Sequence, residues 1–251
     1  MQRYGGDNMT VVHIEIHGKT HHGAETPTIK NFKLTLNSGE FVCLVGQSGC
    51  GKTTLLNSIA GLDSSYSGEI KIGNQSQNPK IGFVFQHPCL LPWRTVRQNI
   101  ELIFENQKNV PKEQIDDLLN LMQLTTYANA YPRQLSEGMK RRVSIIRAFA
   151  INPDLLLMDE PFVSLDAPMA REVSKLLLQL WQNRPHTVLF VTHDLREAIA
   201  LADRLVFLTH RPMRVLKEIE VSIAREQRDY KNIESFREQL IQNYSELRLL
   251  F

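Results

Sequence analysis

Two alternating segments near the start of the chain indicate strands with one buried face. Residues 11–16 place Val12, Ile14 and Ile16 on one side and polar side chains on the other, and 32–36 alternate in the same way. A period of two is typical of a sheet that is covered on one face only. The sequence therefore predicts an antiparallel β flank ahead of the rest of the domain.

Unbroken apolar runs indicate strands that are buried on both faces. They occupy 41–45, 81–85 and 155–158, and two further strands are predicted at 187–191 and 204–208, where apolar residues follow Thr187 and Arg204. Apolar residues at helical spacing separate several of these runs, so that strands and helices alternate along the chain. This alternation predicts an α/β domain built on a mostly parallel sheet with helices on both faces.

Between 87 and 150, helical spacing replaces the strand patterns. Thr95 and Gln98 have the spacing of a capping box, and Pro111 opens a second helical pattern. Ser136 is a suitable N-cap for a third helix. The stretch is therefore predicted to be a helical insertion within the α/β domain.

These patterns together predict the organisation of the whole chain. We expect a single domain over 1–251, whose core combines 10–86 with 151–225. The inserted helical subdomain spans 87–150, and 226–251 form a C-terminal helix that packs on the core.

A glycine-rich segment follows the first unbroken apolar run and precedes a predicted helix. It reads GQSGCGKT and matches the pattern G-x-x-x-x-G-K-[ST] at every position. Glycines allow a tight turn that points N–H groups at an anion, and the helix N-terminus adds partial positive charge. The sequence therefore predicts a nucleoside triphosphate site, with Lys52 at the β- and γ-phosphates and Thr53 at Mg²⁺. The residues expected to line it are Gly46, Gln47, Ser48, Gly49, Cys50, Gly51, Lys52, Thr53 and Thr54.

Polar side chains stand directly after three other apolar runs. They are Gln86, the pair Asp159 and Glu160, and, one residue further on, His193. Because the carboxyl ends of parallel strands line one crevice, we expect them to meet near the phosphate loop. Asp159 is placed to hold Mg²⁺, and Glu160 to orient the attacking water. The alternative is that the two carboxylates only cap the turn at Pro161.

The segment LSEGM at 135–139 precedes a basic helix. A helix start can bind phosphate, but this one lies far along the chain from the phosphate loop. One nucleotide is not expected to touch both within a single chain, so a second copy would have to face the first. For Lys140 and Arg141, a solvated helix face is the alternative interpretation.

Composition narrows the classes of function. Hydrophobic residues make up 42% and charged residues 22%, as in globular proteins, and the net charge of +2 does not favour nucleic acid as a partner. No run approaches the roughly 18 apolar residues of a membrane span, and the start lacks the apolar core of a secretion signal. The three cysteines, Cys43, Cys50 and Cys89, fit free thiols in a reducing cytosol.

Taken in order along the chain, the motifs resemble those of the ATP-binding subunit of ABC transporters. Residues 46–53 resemble the Walker A motif, and 155–159 with Glu160 resemble Walker B and the catalytic glutamate. Gln86 resembles the Q-loop glutamine and His193 the switch histidine. The resemblance implies a P-loop NTPase fold with ATP and Mg²⁺ as cofactors, and catalytic roles for Glu160, His193 and Gln86. It assigns the metal to Thr53, Gln86 and Asp159.

Two further segments resemble the LSGGQ signature and the D-loop of that family. They are Ser136, Glu137, Gly138 and Met139 for the signature, and Ser164, Leu165 and Asp166 for the D-loop. The resemblance implies a head-to-tail dimer in which each signature faces the other subunit's ATP. Glu137 and Met139 depart from the usual glycine and glutamine, and no aromatic residue is available near 19–24 to stack on adenine. His21 or His22 would have to take that place.

A narrower resemblance links the chain to the nitrate, sulfonate and taurine group of bacterial importers. It rests on QHPCLLPW at 86–93, DEPF at 159–162 and HRP at 210–212. It implies an ATPase at the cytoplasmic face of the inner membrane, where it is peripheral. Integral permease subunits would be its direct partners, and a periplasmic or surface substrate-binding protein an indirect one. The transported molecule stays open.

Other classes of P-loop protein fit the sequence less well. A soluble ABC-type ATPase acting on DNA would be expected to carry long coiled coils, and one acting on ribosomes two such domains. A non-ABC P-loop kinase would leave 135–139 and His193 unexplained. An exporter subunit remains an alternative within the transporter interpretation.

Overall fold

The computed structural model of the protein describes residues 10–21, 23–73, 78–105 and 109–249. Its strands are β1 (Val12–Lys19), β2 (Ile29–Leu36), β3 (Phe41–Val45), β4 (Ser67–Ile72), β5 (Ile81–Val84), β6 (Leu155–Asp159), β7 (Thr187–Thr192), β8 (Arg204–Leu208) and β9 (Val215–Glu220). Its α-helices are α1 (Lys52–Ile59), α2 (Val96–Glu101), α3 (Lys112–Leu121), α4 (Glu137–Ala150), α5 (Ala167–Asn183), α6 (Leu195–Leu201) and α7 (Tyr230–Asn243).

The larger sheet has six strands in the order β5-β6-β7-β3-β8-β9. Its first five strands are parallel, and β9 pairs antiparallel with β8. All residues of β3, β6 and β7 are buried, as their unbroken apolar runs predict. Pairing of Val45 with Thr192 and of Asp159 with Val191 brings the carboxyl ends of these strands to one edge.

The smaller sheet confirms the predicted antiparallel flank. Its order is β2-β1-β4, and both neighbours run antiparallel to β1. Val12, Ile14 and Ile16 are buried on one face, where they join Leu44 of β3 and Leu55 of α1 in what we call the second hydrophobic core. The strands extend beyond the predicted segments, because β1 continues to Lys19 and β2 begins at Ile29.

The insertion is helical, as its spacing predicts. Thr95 accepts a hydrogen bond from the Gln98 N–H and the Gln98 side chain accepts one in return, which completes the capping box. The helix α4 begins after Ser136 and runs alongside β5, so it reaches from the insertion into the core. Arg141 on this helix is fully buried, so the interpretation as a solvated helix face is wrong at that position.

Two elements differ from the sequence-based prediction. The edge strand β9 was not predicted, because its charged side chains at Lys217, Glu218 and Glu220 obscure the alternation. The C-terminal helix α7 is shorter than expected and begins after the N-cap Asp229, with a 3₁₀ turn at Ser245–Leu249 behind it. Among the described residues, no helix is both long and apolar enough to cross a bilayer.

Candidate functional site

The phosphate loop joins β3 to α1 at the carboxyl edge of the larger sheet. Gly51 is the N-cap of α1 with φ 122°, and a Cβ there would lie 2.8 Å from Thr28 Cγ2. Only glycine fits this position, because the conformation is left-handed and the space is already filled. The turn therefore delivers Lys52 and Thr53 to the start of a helix, where N–H groups and the helix dipole attract an anion.

Lys52 lies at the centre of the site. Its side chain is only 5% exposed, and Nζ donates to the carbonyl oxygens of Gly46 at 2.8 Å and Gln47 at 3.2 Å. The same nitrogen lies 3.2 Å from Glu160 Oε1. The ammonium group is thus held over the loop by the chain itself, beside the carboxylate that the sequence singled out.

Glu160 connects the loop to the histidine. Its Oε2 lies 3.0 Å from His193 Nδ1, and its N–H donates to the Val191 carbonyl at 3.0 Å. Glu160 has φ 41°, a left-handed conformation that costs a non-glycine residue energy and is common at functional sites. Lys52, Glu160 and His193 therefore form one continuous polar chain, and the convergence that the strand ends predict is observed for these three.

Asp159 is the last residue of β6 and is 4% exposed. Burial raises the pKa of this carboxyl, while a hydrogen bond from Thr53 opposes the shift. A desolvated carboxylate next to a hydroxyl is a donor set of hard oxygens, which suits Mg²⁺. The pair therefore fits the metal that the resemblance implies.

Gln86 follows β5 at the same edge, at an exposed position. Its backbone carbonyl accepts a hydrogen bond from the Arg141 guanidinium. Within the described residues, the Gln86 side chain forms no hydrogen bond, so its amide is not held against Asp159 or Glu160. Its predicted role at the metal remains a prediction.

The other residues of the phosphate loop differ in their exposure to solvent. Gln47, Ser48 and Gly49 are exposed, whereas the Cys50 side chain is buried against the second hydrophobic core. Cys50 can therefore offer only backbone to a phosphate. Arg211 Nε donates to the Gly49 carbonyl at 2.8 Å, a contact that sequence reasoning missed because it joins the ends of two separate segments.

The segment after β1 contains the histidines that the sequence analysis placed near adenine. His21 Nε2 lies 3.2 Å from Thr54 Oγ1, so one of the two histidines expected near adenine is beside the first turn of α1. The other, His22, lies outside the described residues. The predicted contact of His21 with adenine remains a prediction.

Glu197 lies in the first turn of α6, close to the end of β7, and was not predicted as part of the site. Its Oε2 accepts a hydrogen bond from Thr192 Oγ1 at 2.8 Å. Burial raises the pKa of Glu197 to about 7, the Thr192 hydroxyl opposes this, and the charge of Asp194 adds to it. The sequence held no clear signal for this residue, because a glutamate in the first turn of a helix is ordinary.

The signature segment stands apart from this cluster. Ser136 is the N-cap of α4 and accepts from the Met139 N–H at 3.2 Å, while Glu137 pairs with Lys140 at 2.7 Å. Gly138 packs so closely on Met169 that a Cβ would lie 2.6 Å from its sulfur. Among the described residues, no hydrogen bond or ion pair joins this segment to the phosphate loop.

The D-loop segment ends at the start of α5. Asp166 is the N-cap of that helix and accepts from the Met169 N–H at 2.8 Å. Leu165 packs against the hydrophobic core that contains Phe162 and Val173, and Ser164 is exposed. Met169 thus connects the D-loop to the signature, a relation that the two separate motifs did not reveal.

Comparisons with known proteins agree with this geometry. Residues 29–163 match the family model described as ABC transporter. The nitrate import ATP-binding protein NrtD of Synechocystis sp. is 41% identical over 81% of this chain and 79% of its own length. The aliphatic sulfonates import ATP-binding protein SsuB of Bacillus subtilis is 40% identical over 80% of both chains. The bicarbonate transport ATP-binding protein CmpD of Synechocystis sp. is 42% identical over 76% of this chain and 71% of its own.

Solved structures give the same answer for the fold. The ATP-binding cassette MJ0796, in a dimeric post-hydrolysis state bound to ADP and Pi, matches with a TM-score of 0.71 and 31% identity. The match covers 85% of this chain and all of that one. The predicted fold class, family resemblance and ATPase activity are thereby confirmed. The chain belongs to the ABC transporter family, as one of its ATP-binding and ATP-hydrolysing subunits.

Proposed function

We propose that the chain powers an importer for a small anion of the kind represented by nitrate, sulfonates, taurine or bicarbonate. The polar chain of Lys52, Glu160 and His193 beside buried Asp159 is the observation that carries the ATPase part. The import part is supported by relatives whose names specify nitrate import, aliphatic sulfonates import and bicarbonate transport.

Lys52 is the primary phosphate ligand in this proposal. Its bonds to the carbonyls of Gly46 and Gln47 hold the ammonium group in the loop before a nucleotide arrives. A phosphate oxygen replaces Glu160 as the counter-ion of Lys52, which leaves the carboxylate free to accept a proton. Preorganisation of this kind lowers the entropy cost of positioning.

Thr53, Asp159 and Gln86 are the proposed metal ligands. When bound, Mg²⁺ neutralises charge that develops on the β- and γ-phosphate oxygens. A cation held there would offset the cost of burying the Asp159 carboxyl, whose pKa burial raises.

Glu160 is the proposed acceptor of the proton from the attacking water. His193 holds the carboxylate through Nδ1 and orients it at the γ-phosphate side. Removal of a positioned base typically costs about 10²–10⁴ in rate. His193 itself is 48% exposed, so the edge of the imidazole remains open towards the position of the nucleotide.

A second copy of the chain completes the site in this proposal. Ser136, Glu137, Gly138 and Met139 at the start of α4 contribute the partner's side of each ATP, with the D-loop beside them. The dimeric cassette structures support this arrangement. Residues 10–86 with 151–225 then act as the ATP-binding core, 87–150 as the helical subdomain and 226–251 as a C-terminal extension.

The helical subdomain presents a surface for the membrane subunits. Trp93 is 70% exposed in the loop between β5 and α2, where a large apolar side chain favours contact with a protein partner. The chain would then be peripheral, held at the cytoplasmic face of the inner membrane by its permease, with a substrate-binding protein acting on the other side.

Co-purification tests this proposal. Tagged chain expressed in its native host should retain integral membrane subunits, and their addition in lipid should stimulate MgATP hydrolysis. Trp93→Ala should reduce the stimulated rate while the basal rate stays within about threefold. Tyr230→Ala, at an aromatic residue that is 67% exposed on α7, is the matched control. Recovery of a soluble nucleic-acid complex in place of a permease would contradict the transport assignment.

A further inference from the structure

Arg141 is a fully buried arginine that is bonded to the loop carrying Gln86. Nη1 donates to the Phe85 carbonyl at 2.7 Å and Nη2 to the Gln86 carbonyl. Its Nε has no hydrogen-bond partner in the part of the chain that the structure describes, and burial lowers the pKa of the guanidinium to about 10. Burying a charge whose hydrogen bonds are incomplete contributes little to folding stability, so stability alone does not explain why Arg141 is bonded to this loop.

Arg147 extends the same arrangement along α4. Nη1 donates to the Cys89 carbonyl at 2.9 Å and Nη2 to the Pro88 carbonyl at 3.0 Å. Two guanidinium groups of one helix therefore bind four carbonyls of the segment 85–89. Rigid planar forks of this kind fix orientation better than single donors do.

Backbone packing makes the connection between the helix and the strand stiffer still. A Cβ on Gly82 would lie 2.5 Å from the Ala148 carbonyl oxygen, so β5 and α4 are in direct backbone contact. Phe83 and Phe85 stack with ring centroids 4.2 Å apart at the end of the strand. The strand end, the loop 85–89 and α4 are therefore expected to move as one body.

We propose that Arg141 and Arg147 are positioning residues that make the placement of Gln86 depend on α4. The N-terminus of α4 is the signature, so a partner subunit's ATP that engages it also sets Gln86 at the metal of this subunit's own site. Formation of the two ATP sites is then a single event. This inference rests on the proposed function, since it needs the signature and Gln86 to serve different nucleotides.

Arg142 provides a matched control on the same helix. Nη1 donates to the Met122 carbonyl at 3.2 Å and lies 3.7 Å from Glu172. It therefore ties α4 to α3 and α5 through the same chemistry, without touching the loop 85–89. Loss of Arg142 reports what a general weakening of α4 does to activity.

A double-mutant cycle with Gln86 tests the inference. Arg141→Met and Arg147→Met are each combined with Gln86→Ala, and kcat, ATP affinity and Mg²⁺ dependence are measured. In the otherwise unsubstituted protein, each arginine variant should lower kcat by at least about tenfold, because small displacements of a positioned group are costly. ATP affinity should change by less than about threefold, and the Mg²⁺ concentration for half-maximal rate should rise.

In the Gln86→Ala background, the same substitutions should have no further effect on kcat, since residues acting as a unit are not additive. Arg142→Met should leave both backgrounds within about threefold. Arg147 is only partly buried, so the Arg147→Met variant alone tests the coupling to Gln86 if Arg141→Met does not fold. Arg147→Lys should restore part of the rate, because an ammonium group can still reach one carbonyl.

Full additivity of the arginine and Gln86 substitutions in an active enzyme would overturn the inference and leave the proposed function intact. So would an Arg142→Met variant that loses as much activity as Arg147→Met. Absence of MgATP hydrolysis by the unsubstituted protein would instead overturn the proposed function, and with it the inference.

Discussion

The proposed ATP site has a phosphate-loop side and a signature side, and the two are built in opposite ways. On the first, Lys52 and Glu160 are 5% and 14% exposed and are linked to each other and to His193. On the second, Ser136 is exposed, and Glu137 is 54% exposed and pairs with Lys140 on its own helix. The residues of the phosphate-loop side are held in place by contacts within the chain, whereas those of the signature side are open to a second copy.

Under the proposed function, this difference accounts for a site that a single chain leaves incomplete. Buried charges require partners, and Lys52, Glu160 and His193 provide them for one another. An exposed helix start carries only partial charge, so it needs no charged partner until an anion arrives. The two sides therefore fit a nucleotide that binds to the loop first and is covered afterwards by a second copy.

Lys52→Ala gives the largest expected effect, because it removes the cation from the preorganised side. A hydrogen bond to a charged group contributes about 1.5–3 kcal/mol, so MgATP should bind at least about tenfold more weakly. Hydrolysis should fall below detection in a phosphate-release assay. Lys30→Ala, at an exposed position of β2, should be unaffected. Near-normal hydrolysis by Lys52→Ala would remove the basis for the phosphate site.

Ser136→Arg distinguishes the role of the signature side from that of the phosphate-loop side. It places bulk at the surface that meets the partner's ATP, so turnover should be lost while each isolated chain binds MgATP with unchanged affinity. Isothermal titration and a steady-state rate measure the two quantities. Ser64→Arg, at another exposed serine, is the control. Equal loss of binding and turnover would mean that the signature contacts the nucleotide of its own chain.

The pH dependence of stability probes the preorganised side through Glu197. Its folded-state pKa of about 7 lies above the ordinary value of 4.5, so the folded chain binds the extra proton between these limits. Stability should therefore fall as pH rises through this window, by up to about 3 kcal/mol. Glu197→Gln keeps the hydrogen bond from Thr192 and should flatten the curve in urea titrations, whereas exposed Glu238→Gln should not. A slope that persists in Glu197→Gln would place the titrating group elsewhere.

Glu137→Gly should have the smallest effect, because this side chain is directed along its own helix to Lys140. Turnover should change less than about tenfold, a barrier change under roughly 1.4 kcal/mol. Thermal stability should drop slightly, since an acidic residue in a first helical turn contributes about 0.3–1 kcal/mol. A rise in turnover of about a hundredfold would show that the carboxylate faces the γ-phosphate in the assembled dimer.

The sequence predicts the phosphate-loop side of the site more completely than the signature side. The strand β3 and the start of α1 lie where pattern and motif placed them, because an apolar run and a glycine turn are local signals. Burial of Arg141 was missed, since a basic helix face looks solvated until its neighbours are known. The raised pKa of Glu197 and the contact of Gly138 with Met169 likewise depend on elements brought together only by the fold.

The shared nucleotide is the central claim, and the oligomeric state of Glu160→Gln tests it most directly. This variant should bind ATP but hydrolyse it at least about 10²-fold more slowly, so the covered state should accumulate. Light scattering after gel filtration with ATP should give twice the mass of the chain, and the mass of one chain with ADP. Addition of Ser136→Arg to the same chain should restore the smaller mass. A Glu160→Gln protein that stays monomeric at saturating ATP, or a dimer that survives Ser136→Arg, would contradict the account.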